Sequence, residues 1–312
     1  MKIAFVILHY LTFNDTSECV DSILKNIDDE NDLFIVIVDN GSNNGSRDML
    51  HNNYDSDNRI HIIDSEINLG FSKGNNLGYI YAKEKLQADF IIMINNDTII
   101  KQKNFISKIV EIYNSQGYDI LGPDIISLID NKHQNPYHSK LKKFNKKALR
   151  CFMLRRYKDI LITFLGLDLL MLKVYKMYFQ KLYRKYLKSY KERKRKVDVY
   201  NSVQANVKLH GSCLIFSPNY VRKYNGLYSN IFMYMEEDIL FYIAIKENLK
   251  LLYDPQVKIF HKEDSATNVL LNSNKNKKLF VYKNEIKSAK ELMKIIKNNN
   301  IYKQDIISKK FN

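Results

Sequence analysis

The sequence predicts an α/β fold with a mostly parallel central sheet and helices on both faces, and three observations support this. Apolar runs of strand length alternate with stretches of helical periodicity in the first third of the chain. These runs are apolar throughout, as expected for strands buried on both faces of a sheet. Ligands bind at the carboxyl ends of strands in such sheets, which is where Asp39 and Asp97 fall.

The first third contains four predicted strands. They are residues 2–10 (KIAFVILHY), 33–39 (LFIVIVD), 59–64 (RIHIID) and 88–97 (ADFIIMINND). Between the first two, residues 16–26 carry apolar side chains at helical spacing, and Asp15 or Thr16 is the expected N-cap of that helix. Strand, helix, strand, helix, strand is the order of a parallel sheet with helical crossovers.

The middle of the chain is basic and the last part returns to a globular pattern. An apolar run at residues 160–172, too short to span a bilayer, is followed by aromatic and aliphatic residues among Lys and Arg, which on a helix form an apolar stripe opposite a cationic face. Three further apolar stretches follow residue 197, and an amphipathic helix is predicted from about Lys275. The predicted units are residues 1–135, a basic helical insertion at 136–200, residues 201–268 and a helical tail at 269–312.

Composition excludes several protein classes. The 312 residues are 45% hydrophobic and include only 10 Gly and 4 Pro, which argues against a disordered or collagen-like chain. The three cysteines are widely spaced, so a reducing compartment is expected. The apolar start has no cleavage signal after it and is expected to be a buried strand rather than a leader, which predicts a cytoplasmic protein.

The positive charge is concentrated in one segment. The formal net charge is +15, but residues 140–196 alone hold 20 Lys and Arg against three acids, a net of +17. The rest of the chain is therefore close to neutral. A basic helix with an apolar stripe predicts peripheral binding to an anionic membrane surface, on the inner face of the plasma membrane.

Several motifs, in order, resemble those of the family 2 glycosyltransferases, which have the GT-A fold. The motifs are VILHYLTFNDTSECVDSI, VDNGS, NLGFSKGNNLGY, INNDT, HGSCLIFS, MYMEEDIL and IFHKEDS. NLGFSKGNNLGY resembles a bacterial subgroup that includes rhamnosyltransferases of surface-polysaccharide synthesis. The resemblance covers about residues 1–130 and 205–268, and the basic segment lies outside it.

The resemblance implies a set of donor-binding residues. Asp39 corresponds to a carboxylate that accepts a hydrogen bond from the nucleotide base, and a turn or helix-cap role is the alternative. The other candidates are Leu8, His9 and Tyr10 over the base, Asn40 and Gly41 in the turn, Asn68, Lys73 and Asn75 toward the sugar-nucleotide, and Asn95 and Asn96. Gly70, Gly74 and Gly78 recur every four residues, which favours packing of a helix on the sheet.

The motif INNDT is similar to the family's metal motif. Asp97 and a late His261 are the implied ligands of Mg²⁺ or Mn²⁺, and oxygen ligands suit both ions. Asn95 stands where the family has a first Asp, so Asp97 is the one carboxylate that the motif supplies. The alternative for the INNDT motif is an Asx turn, and the alternative for His261 is a buried core histidine.

Three successive acids, Glu236 to Asp238, lie between two apolar stretches. They match the helix-capping pattern, because acids are stabilised at a helix N-terminus. They also repel one another, which raises at least one pKa, as a general base requires. By position against the family motif Glu237 is the expected catalytic base, with Asp238 next.

The resemblance therefore implies an inverting transfer of a sugar from a nucleotide-diphospho-sugar to a lipid-linked or polysaccharide acceptor. Two other protein classes match part of the sequence. A nucleic-acid-binding protein would explain the basic segment, but its apolar centre has no role in a nucleic-acid groove, and no nucleic-acid partner is expected. A dinucleotide oxidoreductase fits the alternating pattern, but the first strand-helix turn, HYLTFNDTS, contains no GxGxxG.

Overall fold

The computed structural model describes residues 1–26, 32–137, 145–167, 199–263 and 274–307. Nine strands form a single sheet within these ranges. They are β1 (Lys2–His9), β2 (Asp32–Asn40), β3 (Ile60–Ser65), β4 (Phe90–Asn95), β5 (Thr98–Ile99), β6 (Ile120–Ser127), β7 (Gln204–Ala205), β8 (Cys213–Phe216) and β9 (Leu251–His261).

The described ranges also contain nine α-helices, which are interspersed with the strands along the chain. They are α1 (Phe13–Asn26), α2 (Ser46–Tyr54), α3 (Phe71–Glu84), α4 (Phe105–Gln116), α5 (Lys146–Phe164), α6 (Pro218–Lys223), α7 (Glu236–Lys246), α8 (Asn274–Lys297) and α9 (Asn300–Ile306). A short 3₁₀ helix spans Val199–Asn201. None of the described helices is long and apolar enough to cross a membrane.

The sheet is mixed, and its long pairings are parallel. Its order is β3-β2-β1-β4-β8-β6-β9-β5, with β7 also paired to β9. β1 pairs in parallel with both β2 and β4, β2 with β3, and β6 with β9. The short strand β8 enters antiparallel between β4 and β6. The predicted α/β fold with a mostly parallel sheet is confirmed.

Each face of the sheet has its own apolar core, because side chains alternate along every strand. On one face α1 and α4 cover residues such as Phe5, Ile37 and Ile92. On the other face α3, α6, α7 and α8 cover residues such as Val6 and Met93. The predicted packing role of Gly74 and Gly78 is confirmed, since an added Cβ would meet Leu8 and Val6 of β1 at 2.6 and 2.5 Å. Helices on both faces leave the strand ends as the accessible edge.

The start of α1 differs from the prediction. The helix begins at Phe13, and Asp15 lies in its first turn, so the expected N-cap at Asp15 or Thr16 is wrong. Thr16 is fully buried, and its hydroxyl lies 2.7 Å from His9 Nδ1. The sequence did not show this because Thr16 bonds to a strand residue outside its own helix.

The basic segment is described only in part. Residues 145–167 contain α5, which packs against α8, and Leu149 of α5 is buried there. The predicted tail helix from about Lys275 is confirmed as α8. The amphipathic helix predicted after residue 172 lies outside the described residues.

Candidate active site

A cleft of about 260 Å³ opens at the carboxyl ends of β1, β2 and β4. Its opposite wall comes from the turn before β8 and from the start of α7. Nine of the predicted site residues line it, namely Leu8, Tyr10, Asn40, Asn68, Asn95, Asn96, Asp97, Glu237 and His261. Residues from six separate motifs therefore surround one cavity at the strand ends.

The other predicted site residues lie outside this lining. His9 and Asp39 are fully buried beside it, since alternation along β1 turns His9 away from the side that Leu8 and Tyr10 occupy. Asn75 is buried in α3 and donates to Phe71 O, whereas Lys73 on the same helix is exposed. The remaining two are Gly41, in the turn after β2, and Asp238, in the first turn of α7.

Asp97 and His261 meet because β5 pairs antiparallel with the end of β9, with Thr98 opposite His261. Asp97 Oδ1 lies 3.1 Å from His261 Nε2, yet no hydrogen bond of ordinary geometry reaches that oxygen from the described residues. His261 Nδ1 lies 2.8 Å from Gln134 Oε1, and Gln134 Nε2 donates to Glu263. Since an amide oxygen only accepts, Nδ1 carries a proton, and Nε2 is the ring nitrogen that faces Asp97.

The Asp97 and His261 pair fits a divalent cation. A buried carboxylate oxygen that faces a ring nitrogen without a hydrogen bond is left unsatisfied, and a cation would satisfy it. Two atoms bound side by side to an octahedral Mg²⁺ at about 2.1 Å lie about 3 Å apart, close to the observed 3.1 Å. No group of three or more His, Cys, Asp or Glu side chains forms a metal site in the described ranges. Water, amide or phosphate oxygens would have to complete the coordination.

The three acids occupy the first turn of α7 in three different environments. Burial, and then the neighbouring Glu237, raise the pKa of Glu236 to about 8, and Glu236 Oε1 has no hydrogen bond partner among the described residues. Glu237 lines the cleft and accepts from the backbone N–H of Gly211 at 3.2 Å. Asp238 forms an ion pair with Lys208 at 3.1 Å, and burial raises its pKa. Of the two proposed bases, Glu237 is the one that faces the cavity.

His210 adds a neutral hydrogen-bond donor to the same cleft. Burial, and then the adjacent His261, lower the pKa of His210 to about 4, so the ring is neutral near pH 7. Its Nδ1 accepts from the backbone N–H of Ser212, which leaves the proton on Nε2. Tyr137 stacks on the ring at 5.2 Å between centroids and holds its orientation.

Asp39 lies near the end of β2 in a part-buried ion pair with Arg47. Its Oδ2 accepts from Arg47 Nε at 2.9 Å and from the backbone N–H of Ser42 at 3.1 Å. Its Oδ1 has no hydrogen bond partner among the described residues, and His9 Nε2 lies 3.8 Å from it. Burial lowers the pKa of His9 to about 4, so Arg47 is the cation that balances this carboxylate.

The cleft is closed on one side by a contact between two motifs. Gly70 has φ +82°, and the backbone of Phe232 lies where its side chain would be, so only glycine fits. The next residue, Phe71, donates its N–H to Phe232 O at 2.8 Å. Beyond Phe232, Tyr234 and Met235 both have positive φ, and this uncommon turn delivers Glu236 and Glu237 to the cavity.

Eight residues line the cleft without having been predicted. They are Gly70, Phe71, His210, Gly211, Ser212, Met233, Tyr234 and Glu236. All eight fall inside the motifs NLGFSKGNNLGY, HGSCLIFS and MYMEEDIL, so the motifs located these segments correctly. The individual side chains were missed because a motif does not show which side of a turn faces the cavity. The sequence signal for Arg47 as a site residue is weak, since it is only a basic residue five positions after VDNGS.

Comparisons with known proteins found similarities of sequence and of structure. The model of the family described as Glycosyl transferase family 2 matches residues 5–187, more than half of the chain. The low-salt glycan biosynthesis hexosyltransferase Agl10 of Haloferax volcanii is 34% identical over 92 residues, which cover 30% of this chain and 28% of that protein. The chain thus spans less than a third of the length of this curated relative.

Two solved structures of S. aureus TarS 1-349 show a limited similarity. The first has a TM-score of 0.36 at 17% identity and covers 47% of this chain and 40% of that one. The second, in complex with UDP-GlcNAc, has a TM-score of 0.37 at 16% identity and covers 48% and 42%.

Proposed function

The chain belongs to glycosyl transferase family 2, and on this premise we propose that it transfers a hexosyl group from a nucleotide-diphospho-sugar to an acceptor hydroxyl. The observation that carries the proposal is the cleft itself. Glu237, the candidate base, lines the same cavity at the strand ends as Asp97 and His261, the candidate ligands of a cation. A single displacement at the anomeric carbon needs a base on one side and a charge sink on the other.

Glu237 is the proposed general base. It lies at the cavity surface, and the Gly211 N–H holds its carboxylate in place. In an inverting transfer it would take the proton of the acceptor hydroxyl while that oxygen attacks the sugar. Asp238 is the weaker candidate because Lys208 already pairs with it.

Asp97 and His261 are the proposed ligands of Mg²⁺ or Mn²⁺. When bound, such a cation stabilises the negative charge that develops on the diphosphate leaving group. Gln134 fixes the His261 ring so that its Nε2 faces Asp97. His210 is a neutral donor on the same wall and can bind a substrate oxygen without adding charge.

The donor is proposed to lie across the ends of β1 and β2. Leu8 and Tyr10 offer apolar contact, and Asn40 and Asn68 bond to each other at 3.1 Å as part of the floor. Asp39 is the proposed hydrogen-bond acceptor for the nucleotide base of the donor, because its buried Oδ1 has no hydrogen bond partner among the described residues. Gly41, Asn75, Asn95 and Asn96 are proposed to shape this side, and Lys73 to reach phosphate from the surface.

The acceptor is proposed to be lipid-linked or a growing surface polysaccharide, as in capsule, O-antigen or cell-wall synthesis. This proposal is supported by the subgroup that NLGFSKGNNLGY resembles and by the +17 charge of residues 140–196. Such a charge favours a position at an anionic membrane surface, where a lipid-linked acceptor is available.

The proposal is tested by measuring nucleotide release from a panel of UDP- and dTDP-sugars, with and without Mn²⁺, for the wild type and for Glu237→Gln. Release with at least one donor is expected, and Glu237→Gln should lower turnover by about two to four orders of magnitude. Donor binding should survive, because Glu237 is assigned to the acceptor.

Asp238→Asn is the matched control, since it changes a neighbouring carboxylate that does not line the cleft. It should retain more activity than Glu237→Gln. Turnover by Glu237→Gln within about tenfold of wild type would show that the base lies elsewhere. Absence of release with every donor would overturn the proposed function.

A further inference from the structure

α5 and its C-cap residue, Leu165, carry an exposed apolar stripe. Leu154, Tyr157, Leu161, Phe164 and Leu165 are 67%, 49%, 58%, 66% and 57% exposed. At about 100° per residue these positions fall within about 100° of the helix circumference. Another side of the same helix packs on α8 and buries Leu149 and Thr163. A contiguous exposed patch of large apolar side chains marks a binding surface.

Cations flank the stripe. Lys146, Lys147, Arg150, Arg155 and Lys158 are all exposed on α5, mostly toward its first half, whereas the stripe occupies its second half. Lys275, at the start of α8, donates to the carbonyl oxygen of Phe164 at 3.0 Å, which places one more cation at the far end. Apolar side chains bordered by Lys and Arg are the pattern of a helix that lies in a membrane interface.

α8 connects this stripe to the cleft. Its residue Phe280 contacts Phe232 and Tyr234, each at 6.3 Å between ring centroids, and Tyr234 lines the cavity. Lys275, which holds Phe164, is five residues earlier on α8, or about 8 Å along the helix axis. The apolar end of α5 therefore lies near the wall that carries Glu237.

We propose that the exposed face of α5, formed by Leu154, Tyr157, Leu161, Phe164 and Leu165 with its flanking cations, docks on an anionic lipid bilayer. The cations attract lipid phosphates and the stripe enters the acyl boundary. Each cation near the surface strengthens binding by about fivefold. A nucleic acid would use the cations but leave the stripe in water. Docking here brings the cleft wall of α7 toward the bilayer, where a lipid-linked acceptor would lie.

The chain contains no Trp, so a single introduced Trp reports on its own surroundings. Leu161→Trp is compared with Ile129→Trp, a control at a 71% exposed apolar position outside the stripe. Each protein is mixed with phosphatidylglycerol vesicles that carry brominated acyl chains. The fluorescence of Leu161→Trp should shift to the blue and be quenched, and that of Ile129→Trp should not. Vesicle binding with no quenching of Leu161→Trp would overturn the proposal.

A second comparison measures affinity. A double variant with Leu154→Ser and Leu161→Ser should partition into phosphatidylglycerol vesicles about tenfold less or weaker still, because the apolar burial of both leucines is lost. The matched pair Met49→Ser and Ile129→Ser, also at exposed apolar positions, should leave partition unchanged. Equal partition of both pairs, or equal binding of wild type to neutral and anionic vesicles, would refute docking through this face.

Two further outcomes separate this inference from its alternatives. A dimer in gel filtration that dissociates in the Leu154→Ser and Leu161→Ser pair would show that a second copy covers the stripe, and would overturn lipid docking. Nucleotide release from the donor in the absence of vesicles should be the same in that pair and in wild type. Loss of vesicle docking with intact nucleotide release would therefore refute docking and not the transfer activity. Absence of release with intact docking would refute the transfer activity and not docking.

Discussion

At the scale of single residues, Asp97 occupies an energetically unfavourable position. One of its carboxylate oxygens is buried, lies 3.1 Å from the His261 ring and receives no hydrogen bond from the described residues. Leaving a buried acceptor unsatisfied costs about 1–3 kcal/mol. The unsatisfied Asp97 oxygen therefore lowers the stability of the fold.

Asp97→Asn should separate activity from stability. We expect loss of Mn²⁺-dependent nucleotide release together with a melting temperature equal to or above that of wild type, because the unsatisfied charge is removed. Calorimetry and the release assay measure both. Asp21→Asn, at an exposed position of α1, is the control and should change neither. Unchanged turnover of Asp97→Asn with a normal melting curve would contradict the metal assignment.

Glu236 should make stability depend on pH. Its pKa is raised from 4.5 to about 8, mainly by burial, so the folded state holds a proton that the unfolded chain releases. The stability that this provides is fully present below about pH 4.5, decreases as the pH rises and is lost once the pH passes about 8.

Glu236→Gln should remove this dependence. Its advantage in unfolding free energy over wild type should grow by about 1 kcal/mol per pH unit between about pH 5 and 8. Urea unfolding at several pH values measures it. Glu84→Gln, at an exposed position of α3, is the control and should follow wild type. Parallel curves for wild type and Glu236→Gln would show that Glu236 is ionised in the folded protein.

Among the elements, the pair α5 and α8 is held by a half-buried ion pair. Arg156 Nε lies 2.6 Å from Glu285 Oε2, and the guanidinium lies over the rings of Phe152 and Tyr282, 5.1 Å from each centroid. Burial raises the pKa of Glu285, and Arg156 opposes this shift. The orientation of the α5 stripe depends on this contact, because it fixes which side of α5 faces α8.

A double-mutant cycle on this pair tests its contribution. Arg156→Met should destabilise the fold by about 1–3 kcal/mol, because Glu285 keeps its burial and loses its partner. Adding Glu285→Met should recover part of that loss. The exposed pair Lys294 and Glu291 on α8 is the control, with an expected coupling below about 0.5 kcal/mol. Equal coupling in the two cycles would show that Arg156 acts only as a surface charge.

For the whole molecule, the structure joins the basic segment to the end of the chain. α5 lies within residues 136–200, which the sequence predicted as a separate insertion, yet it packs on α8 of the predicted tail. Docking on a bilayer through α5 would therefore orient the rest of the described fold and its cleft.

Deleting residues 140–196 should lower the melting temperature, because it removes α5 and uncovers α8. Deleting residues 168–196 alone keeps α5, and this variant should retain donor release while its binding to anionic vesicles weakens at low salt, since it loses 11 Lys and Arg. Circular dichroism and vesicle sedimentation measure the two effects. Equal melting temperatures of the two deletions would contradict a stabilising role for α5.

The sequence by itself determined the fold class, several elements and the sheet edge at which the candidate cleft lies. Apolar runs and helical periodicity are local signals, so they located β1 to β4 and α8 correctly. They also placed Asp97 and His261 at strand ends, because a polar residue that closes an apolar run lies at the edge of the sheet.

Only the tertiary structure decided which of these residues meet. An apolar run carries no sign of its direction, so the antiparallel entry of β8 and the pairing of β5 with β9 could not be inferred from it. That pairing brings Asp97 to His261, and the turn before α7 gives Glu236 the buried position and Glu237 the cavity. Burial and pairing are properties of contacts between distant segments, and local periodicity does not encode them.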